Sequence, residues 1–435
     1  MESVYIALAM LAFVFLALGI GVWVFAGLLA VAFGSMIFLG DFSLARAGMV
    51  SKSVIWKSAT TWELAAIPLF LWMGEIIFRS DISERLFRGL APLVEWLPGR
   101  LLHTNVMGCT LFAAVSGSTS ATTATVGKIT IDALKQRGYN ESLSLGSLAG
   151  AGSLGLLIPP SIILIIYGVL AEVSIAKLFA AGIMPGLLVA GLFSTYIIIR
   201  CLINPQYSPR SNSAKNLKVW MSAIIDLVPI STLILVVLGG IYSGIVTPSE
   251  AAAVGVLAAI LLTACSKKLS LSLLIDSLMA AVRTSCMVCS ILIAAALLST
   301  AIGYLHVPTG LTQLIGSLNL SVYSLLLLLA LMYITLGLFL DGISILVMTV
   351  PIVFPIITQA GIDPVWFGIF LVLMIEMGQV TPPVGFNLFV IQGIAGKNLK
   401  DVVYASFPFF ILMVLAVILL AIYPSIVTFL PEIIA

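Results

Sequence analysis

The sequence predicts an all-α polytopic membrane protein, and three observations support this prediction. Hydrophobic residues make up 61% of the 435 positions and charged residues only 9%, with a mean hydropathy of +1.22; a soluble domain of this composition would aggregate. Apolar stretches continue for about 17 residues or more, which favours spanning helices over the short alternating strands of a β-barrel. Matching polar interruptions occur once in each half of the chain, which is typical of membrane proteins whose helices are broken at a binding site.

Several predicted segments are too short to cross a bilayer alone, because about 20 residues are needed for a hydrocarbon core of roughly 30 Å. Short segments that meet at Gly, Pro or Ser are expected to be half-helices and re-entrant hairpins. In the first half the segments lie near 4–20, 22–40, 62–78, 105–116, 142–157, 159–171 and 176–203. In the second half they lie near 219–240, 249–265, 271–300, 320–340, 343–358, 364–379, 383–395 and 404–430.

The chain is predicted to consist of two repeats joined by a linker. Residues 1–203 form the first repeat, with scaffold and arm helices, a hairpin near 105–135 and a broken helix near 142–171. Residues 204–218 form the linker, which Arg210, Lys215 and Lys218 place in the cytoplasm by the positive-inside bias. Residues 219–435 form the second repeat, with scaffold helices, a hairpin near 325–358 and a broken helix near 364–395.

Two segments of the first repeat, 43–60 and 79–101, mix basic and aromatic residues at helical spacing. This pattern predicts amphipathic helices that lie in the membrane interface. They are either arms that brace a moving part against a fixed one or connections that simply lie on the surface.

The first polar break is a dense run of small hydroxyl residues, Ser116-Gly117-Ser118-Thr119-Ser120, followed downstream by Ile158-Pro159-Pro160-Ser161. Such hydroxyls can hold packed helices together or bond back to the preceding turn. Alternatively, an unwound tip that Gly117 permits exposes carbonyl oxygens, which together with the hydroxyls form a cage for a dehydrated alkali cation. The proline pair leaves carbonyls of the preceding turn without amide donors. The density of the cluster and its counterpart in the second half favour the cation site.

The second polar break repeats this plan and adds an acid. Asp341-Gly342-Ile343-Ser344 is followed by Thr381-Pro382-Pro383-Val384-Gly385 at nearly the same spacing as in the first half. Asp341 stands between two apolar runs, and a carboxylate within the bilayer is costly unless it is paired or hydrated, which makes it a site candidate. It also fits the N-cap of the following helix. Both roles are compatible.

Other features have less specific interpretations. Glu376 is a secondary site candidate, because the sequence does not show which way its helix face points. Thr247, Pro248 and Glu250 fit a capping box that starts a scaffold helix. The sequence contains no P-loop for ATP hydrolysis. Any energy-requiring activity must therefore be driven by an ion gradient or by another subunit. The dispersed basic residues and a net charge of +2 do not indicate a nucleic-acid partner.

Taken together, these motifs resemble the large membrane subunit of tripartite ATP-independent periplasmic (TRAP) transporters. The matching strings, in order, are SGST at 116–119, GLLIPPS at 155–161, GGIYSGIVTPSEAAA at 239–253, GLFLDG at 337–342 and QVTPPVGFNLF at 379–389. The resemblance covers essentially the whole chain. It implies an inverted-repeat elevator-type transporter with two re-entrant hairpins and two broken helices, located in the bacterial inner membrane.

The resemblance also implies a function and partners. We expect sodium-coupled uptake of a small organic acid, such as sialic acid or a C4-dicarboxylate, with no organic cofactor. The expected partners are a small four-helix membrane subunit, encoded separately because this chain looks unfused, and a periplasmic substrate-binding protein.

The family's site residues are carried over onto matching positions. One sodium site is implied at Ser116, Ser118, Gly152, Gly155 and Pro159, and a second at Gly337, Gly342, Gly378 and Thr381. Substrate contacts are implied at Ser116, Gly117, Ser118, Thr119, Ser120, Asp341, Gly342, Ser344, Pro383 and Asn387.

Two other functions compete with this one. A stand-alone elevator-type symporter for anions and sodium would share the hairpins but need no binding protein. An intramembrane enzyme would need an acid–base pair, and the sequence shows no convincing one.

Overall fold

The structure, a computed structural model, describes residues 2–209, 217–318, 320–383 and 385–434. Within these ranges the chain is helical throughout, with no strand. The first half contains α1 (Glu2–Gly19), α2 (Val24–Phe38), α3 (Leu44–Ala59), α4 (Ala66–Arg79), α5 (Ile82–Val94), α6 (Leu102–Ser116), α7 (Thr119–Gln136), α8 (Glu141–Ser153), α9 (Ile162–Ala171) and α10 (Ile175–Ile203). The second contains α11 (Leu217–Tyr242), α12 (Pro248–Cys265), α13 (Leu271–Tyr304), α14 (Val307–Ser317), α15 (Val322–Gly337), α16 (Gly342–Gln359), α17 (Pro364–Gln379), α18 (Phe386–Ala395), α19 (Leu399–Ile422) and α20 (Ser425–Ile434).

The polytopic all-α prediction is confirmed. Six of the described helices, α10, α11, α12, α13, α16 and α19, are long and apolar enough to cross a membrane, and α3 with the segment Trp62–Arg79 forms a further candidate span bent by 52°. Shorter apolar helices such as α9, α15, α17 and α18 meet at breaks, as expected for half-helices. The division into two repeats with boundaries at 203 and 219 stays a prediction.

One group of helices, which we name the scaffold group, consists of α2, α3, α4, α11, α12 and α13. The long helix α13 packs against α2, α3 and α4, and α12 packs against α4 and α11. Helix α12 begins with the predicted capping box, in which the Thr247 hydroxyl accepts the Glu250 amide hydrogen and the Glu250 carboxylate accepts the Thr247 amide hydrogen. The segment therefore starts a scaffold helix, as expected.

The second group, which we name the hairpin group, contains both hairpins and both broken helices. Helices α6 and α7 pack against each other and against α8, while α15 and α16 both pack against α17. Every residue of α17 from Trp366 to Gly378 is buried, which makes this helix the centre of the group. Helices α10, α19 and α20 enclose it.

The arm helix α5 contacts both groups. Arg88 of α5 donates to the Asp226 carboxylate of α11 at 2.6 Å, and Arg85 donates to the same carboxylate at 3.3 Å. On the other side, the Phe87 ring fits against Gly108 of α6, so closely that a Cβ on Gly108 would lie 2.6 Å from the ring. Helix α5 therefore packs on both groups, and its role as a brace between a moving and a fixed part stays a prediction.

A cleft of about 810 Å³ lies between the two groups, which pack directly on each other at α4 with α6 and at α13 with α16. The corner between α9 and α10 lines one side, and the first turn of α12, the C-terminal third of α13 and the end of α3 line the other. Its polar lining includes Lys57, Glu63 and Glu172.

Three parts of the fold differ from the sequence-based expectation. The segment expected at 404–430 is two helices, α19 and α20, which are separated at Tyr423-Pro424 because proline restricts the residue before it. Helix α14 was not expected; Pro308 lies in its first turn, where a missing amide hydrogen costs nothing. Helix α11 begins at Leu217, so Lys218 lies in a helix, while Arg210 and Lys215 of the predicted linker lie outside the described residues.

Candidate functional site

The first hairpin reverses at the predicted polar break. Helix α6 ends at Ser116, and Gly117 follows with φ +56°, a left-handed conformation that favours glycine. Ser118 then caps α7, its hydroxyl accepting the Ala121 amide hydrogen at 3.5 Å. The Ser116 and Thr122 hydroxyls lie 2.7 Å apart. The turn therefore concentrates hydroxyl and carbonyl oxygens at one point.

The first broken helix meets this hairpin tip backbone to backbone. Helix α8 ends at Ser153, a 3-10 turn covers Leu154–Leu156, and the proline pair follows before α9. A Cβ on Gly155 would lie 2.7 Å from Thr119 Cα, and one on Gly117 would lie 2.9 Å from the Pro160 carbonyl oxygen. Only glycine permits these approaches.

The residues of the first predicted sodium site are thus partly brought together. Ser116, Ser118 and Gly155 lie at or against the hairpin tip, and Pro159 lies in the adjoining break. Gly152 lies further back along α8, directly against the Thr123 side chain of α7. Of the hydroxyls in this run, Thr119 is buried and Ser120 is exposed.

The second hairpin reverses just before Asp341. The Asp341 carboxylate accepts the amide hydrogens of Ile343 at 3.1 Å and Ser344 at 3.3 Å, and it also accepts the Ser344 hydroxyl. Asp341 is therefore the N-cap of α16, as one of the two sequence interpretations expected. Its side chain is exposed, whereas Ser344 is fully buried. An exposed carboxylate can still meet a substrate or ion, so the two interpretations remain compatible.

The second predicted sodium site lies where α15, α16 and α17 converge. Gly337 and Gly378 face each other, and a Cβ on Gly337 would lie 2.7 Å from Gly378 Cα. Gly342 approaches the side chain of Gln379. Thr381 donates its hydroxyl to the Met377 carbonyl at 2.6 Å. Pro383 lies exposed in the break that follows.

The two halves of the site meet at the first turn of α9. A Cβ on Gly117 would lie 3.4 Å from the Ile162 side chain, and a Cβ on Gly342 would lie 3.5 Å from the side chain of Ile163. Both hairpin tips therefore contact neighbouring residues of one helix. Helices α7, α9, α16 and α18 all begin at these breaks, and helix N-termini favour anionic groups.

Asn387 joins the halves at a second point. It is fully buried on α18, and its Oδ1 accepts the Thr123 hydroxyl at 3.2 Å. Its Nδ2 has no hydrogen-bond partner within the described part of the chain. Only this tertiary partner shows that Thr123 lies at the site.

Glu376 is a site residue whose direction on its helix could not be predicted from the sequence. It is 1% exposed, and its Oε1 accepts the Leu156 amide hydrogen at 2.7 Å, so the carboxylate of one broken helix binds the break of the other. Its Oε2 and the nearby Thr119 Oγ1 are buried without a hydrogen-bond partner in the residues that the structure covers. The signal in the sequence was an acid placed shortly before a helix break.

The available ligand atoms suit a hard cation. In the described ranges no three His, Cys, Asp or Glu side chains converge as a metal site. Backbone carbonyls and hydroxyls predominate at both breaks, and oxygen ligands of this kind suit alkali and alkaline-earth ions more than soft transition metals.

Comparison with known proteins identifies the family. The model of the tripartite ATP-independent periplasmic transporter, DctM component, matches residues 9–426. The C4-dicarboxylate TRAP transporter large permease protein DctM of Pseudomonas aeruginosa is 33% identical over 381 residues, which cover 87% of this chain and 88% of that protein. The isethionate TRAP transporter permease protein DctMQ of Oleidesulfovibrio alaskensis is 33% identical over 94% of this chain, and the match spans 63% of the length of that protein.

A solved structure supports the fold. The YdaH transporter of Alcanivorax borkumensis, described as having an unusual topology, superposes with a TM-score of 0.61 over 85% of each chain. At 15% identity this likeness concerns the fold alone. The match to the family model and the identity to the Pseudomonas aeruginosa permease together show that this multi-pass membrane protein belongs to the tripartite ATP-independent periplasmic transporter family, as its DctM component.

Proposed function

We propose that the chain carries out sodium-coupled secondary uptake of a small organic acid across the bacterial inner membrane by an elevator mechanism. The observation on which this proposal rests is the meeting of both hairpin tips at the first turn of α9, directly after the first helix break. Broken helices that face one another at such a point are the usual way in which transporters form substrate and ion sites.

Sodium coupling is supported by the oxygen-rich breaks. Residues Ser116, Ser118, Gly152, Gly155 and Pro159 are proposed for the first sodium ion, and Gly337, Gly342, Gly378 and Thr381 for the second. Backbone carbonyls at a helix break lack their usual amide donors and can replace the water around a dehydrated cation.

An anionic substrate is supported by the helix ends and by the relatives. Four helix N-termini at the breaks favour negative charge. Relatives are named for C4-dicarboxylate, isethionate, ectoine and sialic acid, all small carboxylate or sulfonate compounds. The proposed substrate contacts are Ser116, Gly117, Ser118, Thr119, Ser120, Asp341, Gly342, Ser344, Pro383 and Asn387.

The elevator mechanism is supported by the two packing groups. A cleft of about 810 Å³ lies between part of the scaffold group and part of the hairpin group, which gives space for one group to shift against the other. The proposed partners are a small membrane subunit and a periplasmic protein that delivers the substrate.

Reconstitution in proteoliposomes tests the proposal. The chain would be reconstituted with a small membrane subunit and a binding protein of the same transporter, and uptake of labelled succinate and sialic acid would be measured with an inward sodium gradient. We expect uptake of one of these acids only when sodium and the binding protein are both present. Full uptake with potassium replacing sodium would refute the coupling, and uptake by this chain alone would favour the stand-alone symporter.

A further inference from the structure

The Glu376 carboxylate lies where it can control the shape of the first helix break. In an uninterrupted α-helix the Leu156 amide would donate to the Gly152 carbonyl, four residues earlier. Helix α8 instead ends at Ser153, and the Leu156 amide donates to Glu376 Oε1 at 2.7 Å. The side chain therefore takes the amide that a continued helix would use, and the Gly152 carbonyl, within the last turn of α8, accepts the Leu154 amide hydrogen instead.

This substitution of acceptors matters because Gly152 is a proposed sodium ligand. A carbonyl oxygen has two lone pairs, so the Gly152 oxygen can accept the Leu154 amide hydrogen and still face a cation. The 2.7 Å bond from the Leu156 amide to the Glu376 side chain holds that amide away from the helical geometry. At 1% exposure, water does not compete for the bond.

Glu376 reaches this position from the helix that forms the other proposed sodium site. It precedes Gly378 by two positions on α17, and Gly378 packs directly against Gly337. All residues of α17 around it are buried, so neighbouring helices hold α17 on every side. One rigid element thus connects the two breaks.

We infer that Glu376 is a positioning residue that keeps the first helix break open for cation binding and links it to the second break. This inference rests on the proposed sodium coupling. It assigns no direct contact between Glu376 and the substrate.

Four variants in the reconstituted complex test it. Glu376→Ala and Glu376→Asp remove the carboxylate from reach of the Leu156 amide, whereas Glu376→Gln retains an oxygen that accepts the same hydrogen. Met374→Ala is the matched control, because it removes an equally buried side chain from α17 without touching a hydrogen bond at the break. The sodium concentration for half-maximal uptake, the KM for substrate at saturating sodium and the sodium-induced rise in Tm are measured for each.

We expect the half-maximal sodium concentration to rise about tenfold in Glu376→Ala and Glu376→Asp, which corresponds to the loss of one buried hydrogen bond. Glu376→Gln and Met374→Ala should stay within about threefold of the wild type, and the substrate KM should change little in all four. Should Glu376→Ala fail to fold, Glu376→Asp carries the test, because it keeps both charge and polarity.

A wild-type sodium requirement in Glu376→Asp would overturn the inference, as would a loss in Glu376→Gln equal to that in Glu376→Ala. The second outcome would mean that the charge acts and the bond does not. If the wild type itself takes up substrate without sodium, the proposed coupling fails, and this result is distinct from a failure of the Glu376 variants alone.

Discussion

Replacing Gly378 with alanine should weaken sodium binding by forcing two helix backbones apart. A Cβ on Gly378 would lie 2.9 Å from Gly337 Cα, whereas ordinary van der Waals contacts span 3.4–4 Å. The obstructing atom belongs to a backbone and cannot rotate away, so α15 and α17 must separate by about 0.5–1 Å. Overpacking of this size costs about 1–3 kcal/mol.

The same separation displaces the carbonyls proposed for the second sodium ion. We expect a lower Tm in detergent and a half-maximal sodium concentration raised about tenfold in proteoliposome uptake, since about 1.4 kcal/mol corresponds to a factor of ten. Gly191→Ala is the control: it lies within α10 with nothing within 4 Å of the added Cβ, and it should preserve or slightly raise Tm. A Gly378→Ala protein with the Tm and sodium dependence of the wild type would refute the proposed contact and its role.

Substitutions at three further positions, Asp341, Ser116 and Asp226, test the roles of these residues in uptake and in stability. Asp341→Asn keeps a good N-cap but removes the charge, so uptake should be lost at nearly unchanged Tm. Asp341→Ala should also lower the free energy of unfolding by about 0.5–2 kcal/mol, because the cap is lost. Normal uptake by Asp341→Asn would show that the residue only caps α16. Ser116→Ala should abolish uptake with folding retained, whereas Thr110→Val on the same helix should not, and wild-type uptake in Ser116→Ala would remove this hydroxyl from the mechanism. Asp226→Ala should destabilise the protein by about 1–3 kcal/mol, because two arginines of α5 lose their shared acceptor. The control Arg79→Ala breaks an exposed ion pair within one helix and should change Tm little. Equal changes in Tm in the two variants would contradict a brace at α5.

The sequence predicted those parts of the fold that depend on local chemistry. The reversal at Gly117 needs a left-handed residue, and the proline pairs end helices wherever they occur. The cap at Thr247 likewise follows from its own neighbours. Hairpins, breaks and the start of α12 could therefore be placed in advance.

Other parts of the fold and the site depend on tertiary contacts and could not be predicted from the sequence. Helix α17 is apolar and buried on all sides, so no periodicity shows which way Glu376 points. Thr123 and Asn387 are far apart in the sequence, and nothing local pairs them. The separation of α19 from α20 at Pro424 was missed because the surrounding run is continuously apolar.

The adjacency of Ile162 and Ile163 has a consequence for how this protein can vary. Each hairpin tip packs on one of these two neighbouring side chains, so a change in the volume of either is transmitted through the same turn of α9 to both tips. The shapes of the hydroxyl-rich tip and the acidic tip are therefore expected to depend on each other through this turn. Substitutions that enlarge one tip should require a compensating reduction at this isoleucine pair, and covariation among related sequences would be expected to centre there.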